Sequence, residues 1–414
     1  MTPTGFSPGE ISSLINRPVV EEHAEEAAFL WRSRERASRA PHYRLKHLAM
    51  LDARLLAHLE GLRVAGDYGL AHARHALADA DASVVFVAAY LAFAASHADE
   101  MRRAVQVALS DVQLTDAVVA ALAWLGPRPA QQWLNALNGS ENAAYRRLAI
   151  AVQAAHRDDG GAATAHAVAD PDPALRARAL RSIGETKRRD LDDALHRSTH
   201  DAEPRCRFWG AWSLAVLGHR AAAKSAFETA SEDPALASPA LEIAMRAGEH
   251  GWARQLIRSL AGDASTLRQS VVAAGAFGDP ATVPWLLQLL EQPRLARVAG
   301  EALASITGAD LEQPELKQDA PEDAPEVHEE DLDLRWPSPD GLARWWHAER
   351  GRFVSGQRYI GGQPLGEAAA LHVLRTGYQR QRRGAAIELA LLRDGAVVFP
   401  VHARGDWQRR RLAI

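Results

Sequence analysis

Five glycines at near-constant intervals constrain this chain more than any other feature. Gly184, Gly218, Gly248, Gly278 and Gly308 stand 34, 30, 30 and 30 residues apart. Each is predicted to close a helix whose unit tends to open on an acidic residue beside Pro. In "DPDPALRARALRSIGE", Asp172 is placed to cap, Pro173 suits the first helical position, and Leu175, Ala179 and Ile183 share one face. Gly184 is then expected to end that helix. "DAEPRCRFWGAWSLAVLG", "EDPALASPALEIAMRAGE", "DASTLRQSVVAAGAFGD" and "QPRLARVAGEALASITG" repeat the plan, each followed by a second short helix. One such pair cannot bury its apolar face alone, so the period predicts stacked helix pairs. Trp209 and Trp212 fall at core positions of this stack.

An Asp-Pro start, an Arg a few residues in and a terminal Leu-Gly or Ile-Gly resemble HEAT and the related lyase-type HEAT repeats. The resemblance is best over residues 140 to 308, and "GDPATVPWLLQLL" is similar to the second helix of one unit, with Trp285 and Leu289 inward. Upstream, "DASVVFVAAYLAFAA", "TDAVVAALAWLG" and "SENAAYRRLAIAVQAAH" read as degenerate copies. The expected fold is therefore all-α: a HEAT-like α-solenoid over residues 20–309, capped by long polar helices in 20–78, after a flexible N-terminus at 1–19. Alanine dominates the composition while aromatic residues make up 6%, which favours helix over sheet.

Charge is segregated. Residues 310–333 hold 11 acids against Lys317 alone, so this stretch carries -10 and the remainder +6. Such a composition predicts a flexible acidic linker. Residues 334–414 read as a small basic α+β module, with nine arginines and three acids from Arg375 onward. Its helices are expected in "GLARWWHAERGRF", "EAAALHVLRTG" and "YQRQRRGAAIELALLR", a turn in "GQRYIGGQPLG" and a strand in "DGAVVFPV".

"EEHAEEAAFLWRSRERA", "LDARLLAHLEGLRVAG", "GQRYIGGQPL" and "YQRQRRGAAIELAL" together resemble a bacterial HEAT-repeat family of about this length, several members of which are encoded in type VI secretion gene clusters. The resemblance implies a link to contractile secretion or effector loading. No activity is established for that family, so it transfers no catalytic residue.

The chemistry-bearing patterns are sparse. The single cysteine, Cys206, excludes an intramolecular disulfide and a four-thiolate zinc site, and it fits a packed core thiol in a reducing, cytoplasmic setting. No charged n-region precedes an apolar core at the start, and the longest apolar run, Val84 to Ala95, is shorter than the ~20 residues of a membrane span. The only adjacent His-Glu pair, His328 and Glu329, lies in the acidic stretch, which argues against a di-iron centre on facing repeats. His23 with Glu22 and Glu26 reads better as part of an acidic first turn, and His72 with His75 as a solvated face. His47 and His58 share one helical face. No nucleophile elbow, phosphate loop, dinucleotide fingerprint or zincin motif occurs.

The candidate partner-binding residues are Trp345, Trp346, Arg358, Tyr359, Arg380, Arg382 and Arg383. Arg380, Arg382 and Arg383 stand near a helix start, where cations oppose the dipole and call for acidic or phosphate partners. Adjacent Trp345 and Trp346 point about 100° apart on a helix, so one is expected to be exposed. These features predict a non-catalytic protein-protein interaction scaffold or adaptor, with no cofactor and no catalytic or metal residue. From the resemblance, its partner would be a type VI secretion component or cargo, with the chain serving as accessory, chaperone or assembly protein. The alternatives are a nucleic-acid-binding HEAT-like protein and a HEAT-like enzyme.

Overall fold

The computed structural model describes residues 15–414, apart from Ala80, Asp323 and Val327; most of the N-terminal stretch expected to be flexible lies outside them. The described residues form 22 α-helices and one two-residue antiparallel pair, Tyr359–Ile360 with Gln363–Pro364. The fold is all-α and built from helical repeats, with a small C-terminal module. Its contacts define two units. The first comprises Met1–Ser38, Lys46–Asp158 and His402–Ala413, and the second Arg39–Leu45, Asp159–Val401 and Ile414.

The first unit contains α1 (Arg17–Ala37), α2 (Leu45–Val64), α3 (Asp67–Ala76), α4 (Ala82–Ala94), α5 (Ala98–Ala108), α6 (Val112–Leu125), α7 (Pro127–Asn138) and α8 (Ala143–Ala155). It also contains the last helix of the chain, α22 (Gly405–Leu412). The starts of α4, α6 and α8 are capped by Asp81, Asp111 and Asn142, whose side chains accept from backbone N–H groups of the first turn. α4, α6 and α8 pack side by side, as first helices of successive repeats do. At the core of this unit the Trp31 and Phe86 rings stack 3.5 Å apart, and Trp124 meets both edge-on at 5.4 Å.

The second unit continues the pattern with α9 (Gly161–Ala167), α10 (Pro173–Thr186), α11 (Asp192–Ser198), α12 (Pro204–Leu217), α13 (Ala222–Thr229), α14 (Ala237–Ala247), α15 (His250–Ala261), α16 (Leu267–Phe277), α17 (Val283–Leu289) and α18 (Ala296–Thr307). α10, α12, α14, α16 and α18 stack in that order, each also touching a neighbouring second helix. Asp172 caps α10 as its sequence predicts, accepting from Leu175 N–H at 2.7 Å. Asp233 and Asp263 accept in the same way from Ala235 and Ser265.

An arginine in the first turn marks the repeat as clearly as the cap does. Arg146 donates to the carbonyls of Ser140 and Glu141, Arg176 to those of Asp170 and Pro171, and Arg207 to those of Asp201 and Ala202. Each guanidinium thus fastens the preceding turn at offsets of six and five residues. Arg176 and Arg207 reach onward as well, to Asp201 and Glu232 of the next repeat. Further along, the acceptors come from the acidic stretch instead. Arg268 forks onto Asp331 at 2.9 and 2.7 Å, and Arg297 donates to the carbonyls of Asp331 and Leu332. Asp331 is buried, so this part of the segment read as a flexible linker is fixed against the repeats.

The glycines differ in role. Gly218, Gly278 and Gly308 end α12, α16 and α18 in left-handed conformations, whereas Gly248 is extended. Gly184 does not end α10: Lys187 does, in the left-handed region at φ 59°. Gly184 lies inside the helix, where an added Cβ would stand 2.8 Å from the Trp212 ring and 2.9 Å from the Ser213 backbone. It is required for close helix approach.

The C-terminal module is made of α19 (Pro339–Glu349), α20 (Glu367–Thr376), α21 (Gln379–Leu392) and the small hairpin. The expected strand at 394–401 is absent. Val398 N–H bonds the Glu185 carbonyl of α10 instead, no second strand lies beside it, and Pro400 has no N–H to extend a ladder. "GQRYIGGQPLG" is more than a turn: Tyr359, Gly361 and Gly362 donate to the carbonyls of Gly278, Ser305 and Ile306, closing the ends of α16 and α18. The final helix, read from sequence with this module, belongs to the first unit.

Candidate functional site

The residues singled out in the sequence gather in the second unit, and most have partners there. Arg358 is largely buried and donates to the carbonyls of Phe277 (2.7 Å) and Arg246 (3.2 Å) as well as to the Glu388 carboxylate. Burial lowers its pKa, with Glu388 opposing. Tyr359 is buried, its hydroxyl accepting from Val354 N–H at 3.0 Å. Arg382 is fully buried, donates to the Leu374 carbonyl and the Gln379 side chain, and is lowered by burial to about 10. Arg380 pairs with Glu301 at 3.0 Å and also donates to the backbone carbonyls of Arg39 and Glu330. Arg383 pairs with Glu242 at 2.9 Å.

Two of the unfavourable cations at the start of α21, Arg380 and Arg383, are therefore answered by acids of the chain's own repeats, while Arg382 donates to the Leu374 carbonyl and the Gln379 side chain. Glu242 also faces Arg246 at 3.5 Å, and Arg246 faces Glu388 at 3.3 Å, giving a continuous run Arg383–Glu242–Arg246–Glu388–Arg358. Glu242 and Glu388 were not legible as site residues, because each stands in an ordinary helical stretch of the sequence. Trp345 and Trp346 are both half-buried against the core of this unit, and the Trp346 ring lies 5.3 Å from Phe353. Neither is fully exposed.

The first unit holds a second buried charge centre. Arg34 lies against the Trp31 and Trp124 rings and donates to Asp52, Glu35 and the carbonyls of His402 and Ala403. Asp52 accepts from Gly405 N–H at 2.6 Å, and burial raises its carboxyl above the usual range despite Arg34. His23, expected to sit among acids, instead brings its Nδ1 within 3.1 Å of the Nδ1 of His58.

Other titrating groups carry structural consequences. Burial raises the Cys206 thiol to about 11, and Lys187, which donates to the Val216 carbonyl at 2.6 Å, is lowered by burial to about 8. His58 and His156 are lowered, chiefly by burial, with the His23 charge adding at His58. A lowered histidine binds its proton less readily when folded, so its contribution is complete above the unfolded value of about 6.5 and is lost as pH falls below it. The denaturation midpoint of the first unit should fall between about pH 7 and pH 5, and less steeply in His156→Gln, which can still donate to the Ala123 carbonyl. A slope in both His58→Gln and His156→Gln identical to that of the parent would refute this assignment.

Three groups able to ligate a metal converge at one place among the described residues: Asp192, His196 and His219. The pair Asp192 and His196 stands at helical i,i+4 spacing, a signal present in the sequence, but His219 joins them only through the stacking of repeats. No helix of the described residues is long and apolar enough to cross a membrane. Compared with protein-family models and with curated proteins, the chain matches none.

Proposed function

We propose that this chain is a non-catalytic protein-protein interaction scaffold or adaptor. The observation that supports this best is the repeat stack of the second unit. With α10, α12, α14, α16 and α18 side by side, the second helices α11, α13, α15 and α17 each keep an exposed face in similar register. A surface fixed by packed helices binds without first having to be ordered, which lowers the entropic cost of association. The sequence resemblance makes a type VI secretion component or its cargo the partner of choice.

The test is affinity purification of the tagged full-length chain from its own cells, with and without nuclease. The full chain is needed because residues His402–Ala413 belong to the first unit. Lys224→Glu and Arg258→Glu serve as comparators, since Lys224 and Arg258 are exposed on α13 and α15 and surface changes cost about 0.5 kcal/mol or less. Nuclease-resistant recovery of a secretion component or cargo, reduced by one of these changes, supports the reading. Recovery of nucleic acid instead favours a nucleic-acid-binding protein, and recovery of neither overturns the proposal.

A further inference from the structure

We infer that Asp192, His196 and His219 form a Zn2+ site that braces two consecutive repeats of the second unit. Asp192 and His196 lie one turn apart on α11, the second helix of one repeat. His219 follows α12, the first helix of the next. Its position is fixed by Gly218, whose left-handed conformation turns the chain so that His219 N–H bonds the Leu214 carbonyl at 3.0 Å. The imidazole is thereby directed at α11 by backbone geometry.

The ligand atoms have the spacing a cation needs. His219 Nε2 is 3.0 Å from Asp192 Oδ1, His196 Nε2 is 3.5 Å from Asp192 Oδ2, and the three ligand atoms lie within 4.8 Å of one another. With metal–ligand bonds of about 2.0–2.2 Å, the edge of a tetrahedron is roughly 3.4 Å, so little movement would admit the ion. The two rings stand nearly perpendicular, 84° apart, with centroids at 5.1 Å, which lets two imidazole edges converge without stacking.

The donor set, two imidazoles and one carboxylate, suits a borderline cation such as Zn2+ better than Ca2+ or Mg2+, which prefer all-oxygen shells. The side chains of Asp192, His196 and His219 retain 34%, 55% and 40% exposure, so water can complete the coordination. Without metal, the Asp192 carboxylate accepts from His219, while His196 Nε2 stands 3.5 Å away. Zinc would place a single cation shared by α11 and the end of α12 among these three groups. Because folding is required to bring His219 to α11, binding favours the folded chain.

The experiment is Zn2+ titration, followed by calorimetry, of full-length protein first stripped with a chelator, alongside His219→Ala, Asp192→Asn and the distant control His75→Ala. The chain has 17 histidines, so the variants, not binding alone, identify the site. The expected result is one tight equivalent in the parent and the His75→Ala control, with affinity at least about tenfold weaker in His219→Ala and Asp192→Asn. Zinc should also raise the thermal midpoint of the parent but not that of His219→Ala. Since these side chains are partly exposed, the variants should keep the parent's helical circular dichroism. Absence of a tight equivalent in the parent, or one retained at full affinity in His219→Ala, overturns the proposal.

Discussion

Glu388→Ala should cost the second unit about 3–5 kcal/mol, the range for removing one partner of a buried ion pair. Glu388 is 2% exposed, and its carboxylate is shared by Arg358 and Arg246. Truncation leaves the Arg358 guanidinium, already below its ordinary pKa through burial, without its carboxylate, and leaves Arg246 with Glu242 alone at 3.5 Å. Gly384 shows how closely the partners are fitted, since a Cβ there would overlap the Arg246 guanidinium. Alanine is a better helix former than glutamate, so a loss of stability cannot be ascribed to α21 itself. Denaturant unfolding of Glu388→Ala, Arg358→Met and the double variant separates the pair from its surroundings. The double variant should lose less than the sum of the singles. A loss under about 1 kcal/mol in Glu388→Ala would show the carboxylate to be dispensable.

The repeat was legible because its signals are local. A cap, a proline at the first helical position and an apolar face each depend on residues within a turn or two, and the structure places Asp172, Pro173, Leu175 and Ile183 as those signals require. Gly184 misled because a glycine inside a helix and one that ends it look alike in sequence; the difference is the Trp212 and Ser213 backbone contact from the next repeat. The acidic stretch misled for a related reason. Its composition describes an unpaired chain, while Arg268 and Arg297 supply the partners that hold Asp331. The arginines of α21 were expected to need acidic or phosphate partners; Arg380 and Arg383 face Glu301 and Glu242, which could not be chosen from among the 52 acids of the chain, while Arg382 donates to the Leu374 carbonyl and the Gln379 side chain. Contacts such as Arg246 with Glu388, 142 residues apart, follow from tertiary packing and leave no periodic trace.

The centre around Arg34 offers a test in which pH changes the size of the effect. Arg34 is 1% exposed, and its guanidinium satisfies four separate acceptors: Asp52 at 3.1 Å, Glu35 at 2.9 Å, and the carbonyls of His402 and Ala403 at 2.6 and 3.0 Å. Arg34→Ala should therefore destabilise the first unit by about 3–5 kcal/mol near neutral pH. Arg34→Lys should recover only part of this, because a point-like ammonium cannot match the spread of acceptors that the planar fork reaches. The residual penalty has a definite sign. Burial raises the Asp52 carboxyl, and Arg34 is the largest influence opposing that rise, so removing the guanidinium raises it further. An acid whose folded pKa is raised is stabilising below its unfolded value and loses that contribution as pH rises through the folded value. Arg34→Ala should accordingly be less impaired near pH 5 than near pH 8, with the difference abolished in Arg34→Ala/Asp52→Asn. Tryptophan fluorescence can follow the unfolding, since Trp31 and Trp124 lie against Arg34. Equal penalties at both pH values would mean that the cost lies in lost packing against those rings and not in the buried carboxylate.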